Sequence, residues 1–436
     1  MILMAALLIS QTSLQVFASP TGAGSNFQGA VKDWVARMDH TPDPSAGCFS
    51  ASYPDTVWLE VPCAKVNDSV PPNPPLVSYV NDYSDLATSS LIGYAHGDFA
   101  SVSGVTSEND SLNPCNMPKS GDCANWYSVQ LNSNTWSPSQ STPCPDYSGY
   151  NGATSGYTCW EQFVFNNGQY GSNGYIWYIL GGYAKNIGPC GAIYTPPGMV
   201  QWFSKSTDPS QSCYSYVSPG KGLLPAPISQ LSDVSVSGSS NLQGSGNDQI
   251  TICVTGQSPS CDSGSYTDTV LELYKAWQVS EFNVFGYGGG SEAVFYGATG
   301  GSAATITPNV EEEDSSGRII PSNCQTGGYT GETNSMGLVS CRAGNVMSIT
   351  ESESSYYLTM QVKSGSGTVS PSSGYYLPGT RVTITGTATG GRCNSFYNWS
   401  GSGSGSYTGF NNPATITMNG PISEGATFKK VCAPSG

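Results

Sequence analysis

Hydrophobic and polar residues alternate in short runs along most of this chain. Runs such as "NWYSVQLNSNTW", "CWEQFVF", "GYIWYILGGY" and "DQITICV" are rich in aromatic and β-branched residues and are bounded by Gly, Asn or Ser. This is the pattern of half-buried β-strands joined by turns. Only "TDTVLELYKAWQ" and "FQGAVKDWVARM" have an apolar spacing that suits a helix. The pattern therefore predicts an all-β protein built on an antiparallel β-sandwich or jelly roll.

Changes in composition divide the chain into four segments. Residues 1–18 join an apolar core to the small residues of "VFA", as in a secretory signal peptide cleaved after Ala18, although they lack a basic start. Residues 19–77 form a polar N-terminal arm, a candidate pro-segment. The strand pattern occupies residues 78–350, and a shorter β-module follows at 356–436. We therefore predict a secreted protein, extracellular or associated with the cell surface, with no membrane span in the mature chain.

The cysteine content agrees with export to an oxidising compartment. The chain has 14 cysteines among 436 residues, and such a number is typical of disulfide-bonded extracellular proteins. Sequence alone does not determine connectivity, and pairing each cysteine with the next is the simplest arrangement. It predicts seven bridges: Cys48–Cys63, Cys115–Cys123, Cys144–Cys159, Cys190–Cys213, Cys253–Cys261, Cys324–Cys341 and Cys393–Cys432.

Charge and histidine content narrow the function classes. The net charge is −15, from 15 basic and 30 acidic residues, which argues against nucleic acid as a partner. With so few basic residues the folded chain gains little positive charge in acid, so an acidic medium would suit it. The chain has no CxxC motif and only two histidines, His40 and His96. We therefore expect no metal site and no cofactor, and a histidine-based catalytic triad is disfavoured.

Carboxylates and amides on strands remain as candidates for chemistry. In "CWEQFVF", alternation places Trp160 and Gln162 on one face and Glu161 on the other. In "AWQVSEFNVF" it places Trp277 and Glu281 together. A carboxylate beside aromatic surface is poorly solvated, so its pKa rises and it can act as a general acid or base in a mildly acidic medium. A neighbouring amide can donate a hydrogen bond to an oxyanion.

The order of these strands resembles a known peptidase family. "WEQFVF", "GYIWYILGGY", "NDQITICV" and "AWQVSEFNVFG" follow one another within residues 120–300, in an order similar to that of the glutamic peptidases of the eqolisin type. The resemblance implies a concanavalin-like β-sandwich and a secreted endopeptidase that acts in acid on a protein or peptide substrate. Carried over, Gln162 and Glu281 would form the catalytic Gln/Glu dyad, and the substrate cleft would be lined by Trp160, Trp177 and Trp277.

The C-terminal module has a second resemblance. "GTVSPSSGYYLPGTRVTITG", "WSGSGSGSYTG" and "NNPATITMNGPI" lie within residues 356–430 and closely resemble the small Ig-like repeat domains of bacterial and archaeal surface and secreted proteins. The resemblance implies a spacer or adhesion module, with cell-surface glycans as a candidate partner.

Other interpretations of the same residues stay open at this stage. Glu281 could point outward from an edge strand, and Glu161 replaces Gln162 if the strand face is reversed. Glu292 and Glu332 lie beside glycine-rich turns, where a turn role is expected. A paired-carboxylate glycosidase on a similar sandwich would be another use of such residues. The main alternative to a peptidase is a non-catalytic surface protein that stacks glycans or matrix on aromatic platforms: Trp126, Trp136 and Trp202.

Overall fold

The structure is a computed structural model. It describes residues 25–63, 83–87, 89–110, 125–138, 144, 156–168, 171–204, 211–218, 225–257, 260–297, 304–353, 356–376, 379–391 and 393–430. The predicted signal peptide at residues 1–18 lies outside the described residues.

The described part of the chain is dominated by strands, with two α-helices and four 3₁₀ turns. The helices are α1 (Ser25–Asp39) and α2 (Tyr183–Asn186), and the 3₁₀ turns are Cys190–Ala192, Ile228–Asp233, Leu242–Gly244 and Leu273–Lys275. Before residue 355 the strands are β1 (Gly47–Ala51), β2 (Leu59–Glu60), β3 (Tyr83–Ala87), β4 (Tyr94–Ser103), β5 (Val105–Asp110), β6 (Tyr127–Ser133), β7 (Thr158–Gly168), β8 (Gly171–Gly181), β9 (Cys213–Val217), β10 (Val234–Ser240), β11 (Asn247–Val254), β12 (Cys261–Thr267), β13 (Val279–Gly286), β14 (Glu292–Gly297), β15 (Thr305–Glu313), β16 (Ser322–Thr326), β17 (Thr333–Asn334), β18 (Met336–Arg342) and β19 (Val346–Glu353).

These strands form a two-sheet sandwich with a small third sheet. One large sheet has nine strands in the order β18-β19-β15-β4-β10-β11-β12-β1-β2, and the other has seven in the order β16-β3-β13-β6-β7-β8-β9. Neighbours in both sheets are antiparallel. The third sheet, β17-β14-β5, contains one parallel pair. The predicted fold class, an all-β antiparallel sandwich followed by a small C-terminal β-domain, is confirmed.

Alternation along the strands builds the core between the two large sheets. Phe163 of β7 and Phe282 of β13 are fully buried there, and each packs on a glycine of the opposite sheet. A Cβ added to Gly97 would lie 2.1 Å from the Phe282 ring, and one added to Gly238 would lie 2.4 Å from the Phe163 ring. The two glycines thus allow the sheets to approach closely at these rings.

The N-terminal arm is part of the packed structure. The predicted helix in "FQGAVKDWVARM" is observed as α1, which packs on the outer face of the nine-stranded sheet and buries Trp34 and Met38. The chain then enters the same sheet as β1, paired with β12. The second candidate, "TDTVLELYKAWQ", forms only the 3₁₀ turn Leu273–Lys275.

The described bridges follow the predicted pairing of successive cysteines. The predicted partners of the remaining cysteines lie outside the described residues: Cys115, Cys123 and Cys432. Five of the predicted bridges are confirmed: Cys48–Cys63, Cys144–Cys159, Cys190–Cys213, Cys253–Cys261 and Cys324–Cys341.

The C-terminal module has its own core of buried residues around Trp399, Ile384 and Phe428. A four-stranded sheet and a three-stranded sheet enclose it. Their strands are β20 (Tyr356–Ser364), β21 (Gly367–Ser370), β22 (Gly374–Tyr376), β23 (Arg381–Ala388), β24 (Asn394–Ser402), β25 (Ala414–Thr417) and β26 (Ile422–Lys430). Across the part of the chain that the structure describes, no helix combines the length and apolarity needed to cross a membrane.

Candidate functional site

A row of three polar side chains crosses the outer face of the seven-stranded sheet. Glu281 of β13 is in register with Asn132 of β6, which is in register with Gln162 of β7. Beyond this row, Trp177 of β8 and Tyr216 of β9 continue the same register across the sheet. Because neighbouring strands are about 4.8 Å apart, these five residues form one continuous line. The topology therefore brings Gln162 and Glu281 to the same surface, with one strand between them.

The faces of β7 follow the predicted alternation. Trp160 and Val164 lie in an aromatic cluster on the outer face, while Phe163 and Phe165 lie in the core between the sheets. Gln162 shares the outer face with Trp160 and is fully buried. The row is therefore a polar strip bordered by aromatic rings, on the side away from the main core.

Amide groups connect the two predicted dyad residues. The Gln162 Nε2 donates hydrogen bonds to Asn132 Oδ1 at 2.6 Å and to Gln130 Oε1 at 3.1 Å. The Asn132 Nδ2 in turn donates to Glu281 Oε2 at 2.9 Å. The amide in contact with Glu281 is thus that of Asn132, which the sequence analysis did not single out. Alternation in "NWYSVQLNSNTW" places Gln130 and Asn132 on one face, so the sequence could have indicated two amides on a neighbouring strand.

Glu281 is fully buried, and burial favours its protonated form. Its Oε2 accepts a second hydrogen bond from the Tyr329 N–H at 2.8 Å. No donor among the described residues reaches Glu281 Oε1 or the Gln162 Oε1. Burial raises the pKa of Glu281 to about 7, against the lowering effect of the Tyr329 and Asn132 hydrogen bonds, and the charge of Glu332 raises it further. The group can therefore exchange a proton near neutral or mildly acidic pH.

A segment between β16 and β17 covers this site. We call residues 327–332, "GGYTGE", the covering segment. Its Tyr329 contacts Glu281 through the backbone and packs with its side chain on the aromatic cluster. The rings of the cluster that approach Gln162 are those of Trp160 and Trp177, and both are buried. The site is closed to solvent in this structure.

Glu332, at the end of the covering segment, is held by a glycine turn. Gly288, Gly289 and Gly290 have φ of 101°, 71° and 80°, a conformation that side chains disfavour. The turn presents the Gly290 N–H to Glu332 Oε1 at 3.0 Å. The Thr330 hydroxyl donates to the other oxygen, Oε2. Glu332 is fully buried, so its environment is not that of a solvated turn residue. Glu292, after the turn, is only partly buried and begins β14.

One sequence expectation about this face is wrong. Trp277 lies in the core between the sheets, where it stacks on Phe163 with ring centroids 5.7 Å apart. It does not share the face of Glu281, because β13 begins only at Val279 and the alternation does not extend back through the preceding 3₁₀ turn. Glu161 points into the interior with Phe163, as the alternation predicted, so it does not replace Gln162 in the row; burial and Asp248 raise its pKa well above the ordinary value.

The proposed aromatic platforms are not exposed surfaces. Trp136 and Trp202 are 7% and 2% exposed, so the prediction that they present stacking surfaces is wrong. Trp126 is partly buried and packs on Tyr287, with ring centroids 5.3 Å apart. Trp136 and Trp202 pack in the hydrophobic core instead of forming a binding surface.

Both histidines lie on the opposite side of the sandwich from the row. His96 on β4 pairs with Asp39 at 3.1 Å, and His40 pairs with Glu313 at 3.1 Å. They connect the end of α1 to the nine-stranded sheet and do not contact the dyad residues. Among the described residues, no three His, Cys, Asp or Glu side chains form a group that could hold a metal ion.

The comparisons with known proteins concern the C-terminal module. Residues 357–432 match the family described as the divergent InlB B-repeat domain. A search of curated proteins finds no match to the chain, and the resemblance of residues 120–300 to glutamic peptidases gains no support from these comparisons. The five bridges and the repeat domain indicate an extracellular protein whose C-terminal module is similar to an Ig-like surface repeat.

Proposed function

We propose that the chain is a secreted endopeptidase that acts in acid, with Glu281 as general base and acid and the row amides as oxyanion donors. The observation that carries the proposal is the continuous, hydrogen-bonded row Glu281–Asn132–Gln162 on one sheet face. A carboxyl group and uncharged amide donors are sufficient for peptide hydrolysis without a histidine. The aromatic rings of Trp160 and Trp177 beside the row would bind an extended substrate strand.

In the proposed mechanism Glu281 takes a proton from a water molecule, and the resulting hydroxide attacks the scissile carbonyl carbon. An amide N–H of Gln162 or Asn132, released from the hydrogen bond that it makes in the closed site, donates to the oxyanion that forms. Glu281 then gives the proton to the leaving amine as the carbon–nitrogen bond breaks, which restores the carboxylate. The products are a free carboxyl group and a free amine, so atoms and charge balance.

The mechanism requires the covering segment to move. Substrate cannot reach Glu281 while Tyr329 occupies its Oε2 and the site is fully buried. Displacement would also admit water, and desolvation is the largest cause of the raised pKa of Glu281. The pKa would then fall towards its ordinary value near 4.5. Opening would therefore produce the carboxylate form that acts as a base in a mildly acidic medium.

The first prediction concerns Glu281. We expect Glu281→Gln to lower kcat/KM on a denatured protein substrate by at least about 100-fold, because the variant removes the proton-transfer group. The measurement is proteolysis across pH 2 to 7, with folding checked by circular dichroism. Glu351→Gln is the matched control. Glu351 is also fully buried and also has a pKa raised by burial to about 7. It accepts two side-chain amide hydrogen bonds, where Glu281 accepts one from a side-chain amide and one from a backbone N–H.

The proposal requires a wild-type chain active in acid, a Glu281→Gln variant that is folded and inactive, and a Glu351→Gln variant within about threefold of wild type. Full activity in Glu281→Gln would exclude this carboxyl as the catalytic group. An inactive wild type at every pH, including after cleavage within residues 19–45, would reject the peptidase. The surface role of the C-terminal repeat would then be the function to pursue.

A further inference from the structure

The surroundings of Glu281 contain a second carboxyl group with no role in the proposed mechanism. Glu281 and Glu332 are 51 positions apart in the sequence, yet both are fully buried, and Glu281 contacts the covering segment of which Glu332 is the last residue. Tyr329 donates its backbone N–H to Glu281, and the backbone of Thr330 also stabilises the ionised form of Glu281. The Thr330 hydroxyl donates to Glu332. Thr330 therefore lies between the two carboxyl groups.

Two carboxyl groups in one dry site rarely ionise together, since each negative charge disfavours the other. The charge of Glu332 acts in this direction on Glu281. The other titratable groups around the pair are Tyr329 in the aromatic cluster, Glu292 at the far end of the glycine turn, and Glu351, which Asn283 and Asn334 hold by hydrogen bonds. The Gly290 N–H keeps the Glu332 carboxyl in place.

We infer that Glu332 is a positioning residue for Glu281: the two buried carboxyl groups lie on either side of Thr330, where each disfavours ionisation of the other, and the three-glycine turn holds Glu332 in place. The catalytic part of this inference rests on the proposed function. While the segment covers the site, Glu332 favours the neutral form of Glu281. When the segment moves away, the hydrogen bond between Gly290 and Glu332 breaks, Glu332 leaves with the segment, and Glu281 becomes the base.

The second prediction tests this pairing through a pH profile. Glu332→Gln keeps the acceptor oxygen for Gly290 but removes the charge beside Glu281. We expect the acid-side midpoint of the kcat/KM profile to move to lower pH by about one unit, because the loss of a like charge eases ionisation. Glu292→Gln, which alters the other carboxyl at the same glycine turn, is the matched control and should leave the midpoint unchanged. An unmoved midpoint in Glu332→Gln would overturn the inference.

A measurement that needs no activity separates this inference from the proposed function. The melting temperatures of Glu281→Gln, Glu332→Gln and the double variant are compared at pH 3 and pH 8. If each charge opposes ionisation of the other group, the two effects are additive at pH 3, where acid weakens that repulsion. At pH 8 the double variant then gains less than the sum, because either change alone removes the repulsion. Additivity at both pH values would overturn the pairing even if the chain proves to be a peptidase.

Discussion

At the scale of single residues, the interior contains carboxyl groups that most folds exclude. Glu161 of the seven-stranded sheet and Asp248 of the nine-stranded sheet face each other inside the sandwich, and both are fully buried. No hydrogen-bond donor among the described residues reaches their oxygens. Burial raises the pKa of both groups well above the ordinary values. Neutral carboxyl groups fit this position, whereas a charged pair would be strongly unfavourable.

The third prediction concerns this pair. We expect Asp248→Asn to raise the melting temperature at pH 7 and to change it little at pH 3. At pH 7 an unfolded wild-type chain ionises Asp248 and the folded chain resists this, while asparagine is neutral in both states. The free-energy gain is about 1.4 kcal/mol for each unit by which folding raises the pKa. Asp55→Asn, at an exposed position, is the control for calorimetry. Equal effects of Asp248→Asn at both pH values would contradict the neutral pair.

At the scale of elements, α1 is the clearest addition to the sandwich. Trp34 and Met38 of α1 pack against Phe49, Trp58 and the Cys253–Cys261 bridge. The two ion pairs formed by His96 and His40 attach the end of the helix to the nine-stranded sheet. The helix thus covers an apolar surface that its removal would expose to water.

The fourth prediction measures this contribution. Trp34→Ala should lower the free energy of unfolding by about 3 to 5 kcal/mol, since it removes a fully buried indole and leaves a cavity. Phe27→Ala changes an aromatic residue of the same helix that is 44% exposed, and we expect an effect within about 0.5 kcal/mol. Chemical denaturation at one pH compares the two variants. Similar losses for both would show that α1 is held by something other than its buried face.

At the scale of the whole molecule, the buried carboxyl groups make the folded chain more stable at acidic pH. Folding raises the pKa of many carboxyl groups, so the folded chain binds more protons than the unfolded chain between their ordinary and raised values. The stabilisation that these groups contribute is fully present near pH 4 and is lost as the pH rises through the folded pKa values. Burial raises the pKa of Asp43, Asp85, Glu281 and Glu351 to about 7 and that of Glu108 to about 9.

The fifth prediction is a melting temperature that is highest between about pH 3 and 4 and falls steadily towards pH 8. His40 adds to this trend, because its bond to Glu313 raises its pKa to about 9 and that stabilisation is lost as the pH rises through this value. Asp314, whose hydrogen bonds with Ser316 lower its pKa to about 2, acts in the opposite direction, but it lies at the surface beside the exposed Arg318, where solvent weakens the effect. Calorimetry across the range measures the curve, and a maximum at neutral pH would contradict it.

The sequence predicts local features of this molecule better than distant contacts. Alternation assigned Trp160 and Gln162 to one face of β7 because a strand has a fixed period of two. It failed at Trp277 because a pattern does not show where the strand begins. The contact between Glu281 and the covering segment joins residues 48 positions apart, and it arises from the order of strands in the sheets. Nothing in "GGYTGE" itself indicates that Glu332 is buried beside another carboxyl.

The sequential pairing of the disulfides has a consequence for biogenesis. In the five described bridges each cysteine joins the next one along the chain, and the separations are only 8 to 23 residues. No described bridge encloses a cysteine of another. A chain exported from its N-terminus and oxidised as it emerges therefore meets each correct partner before the next pair arrives. Its covalent framework can be completed in order of synthesis, with no need to break a wrong bond and form the right one.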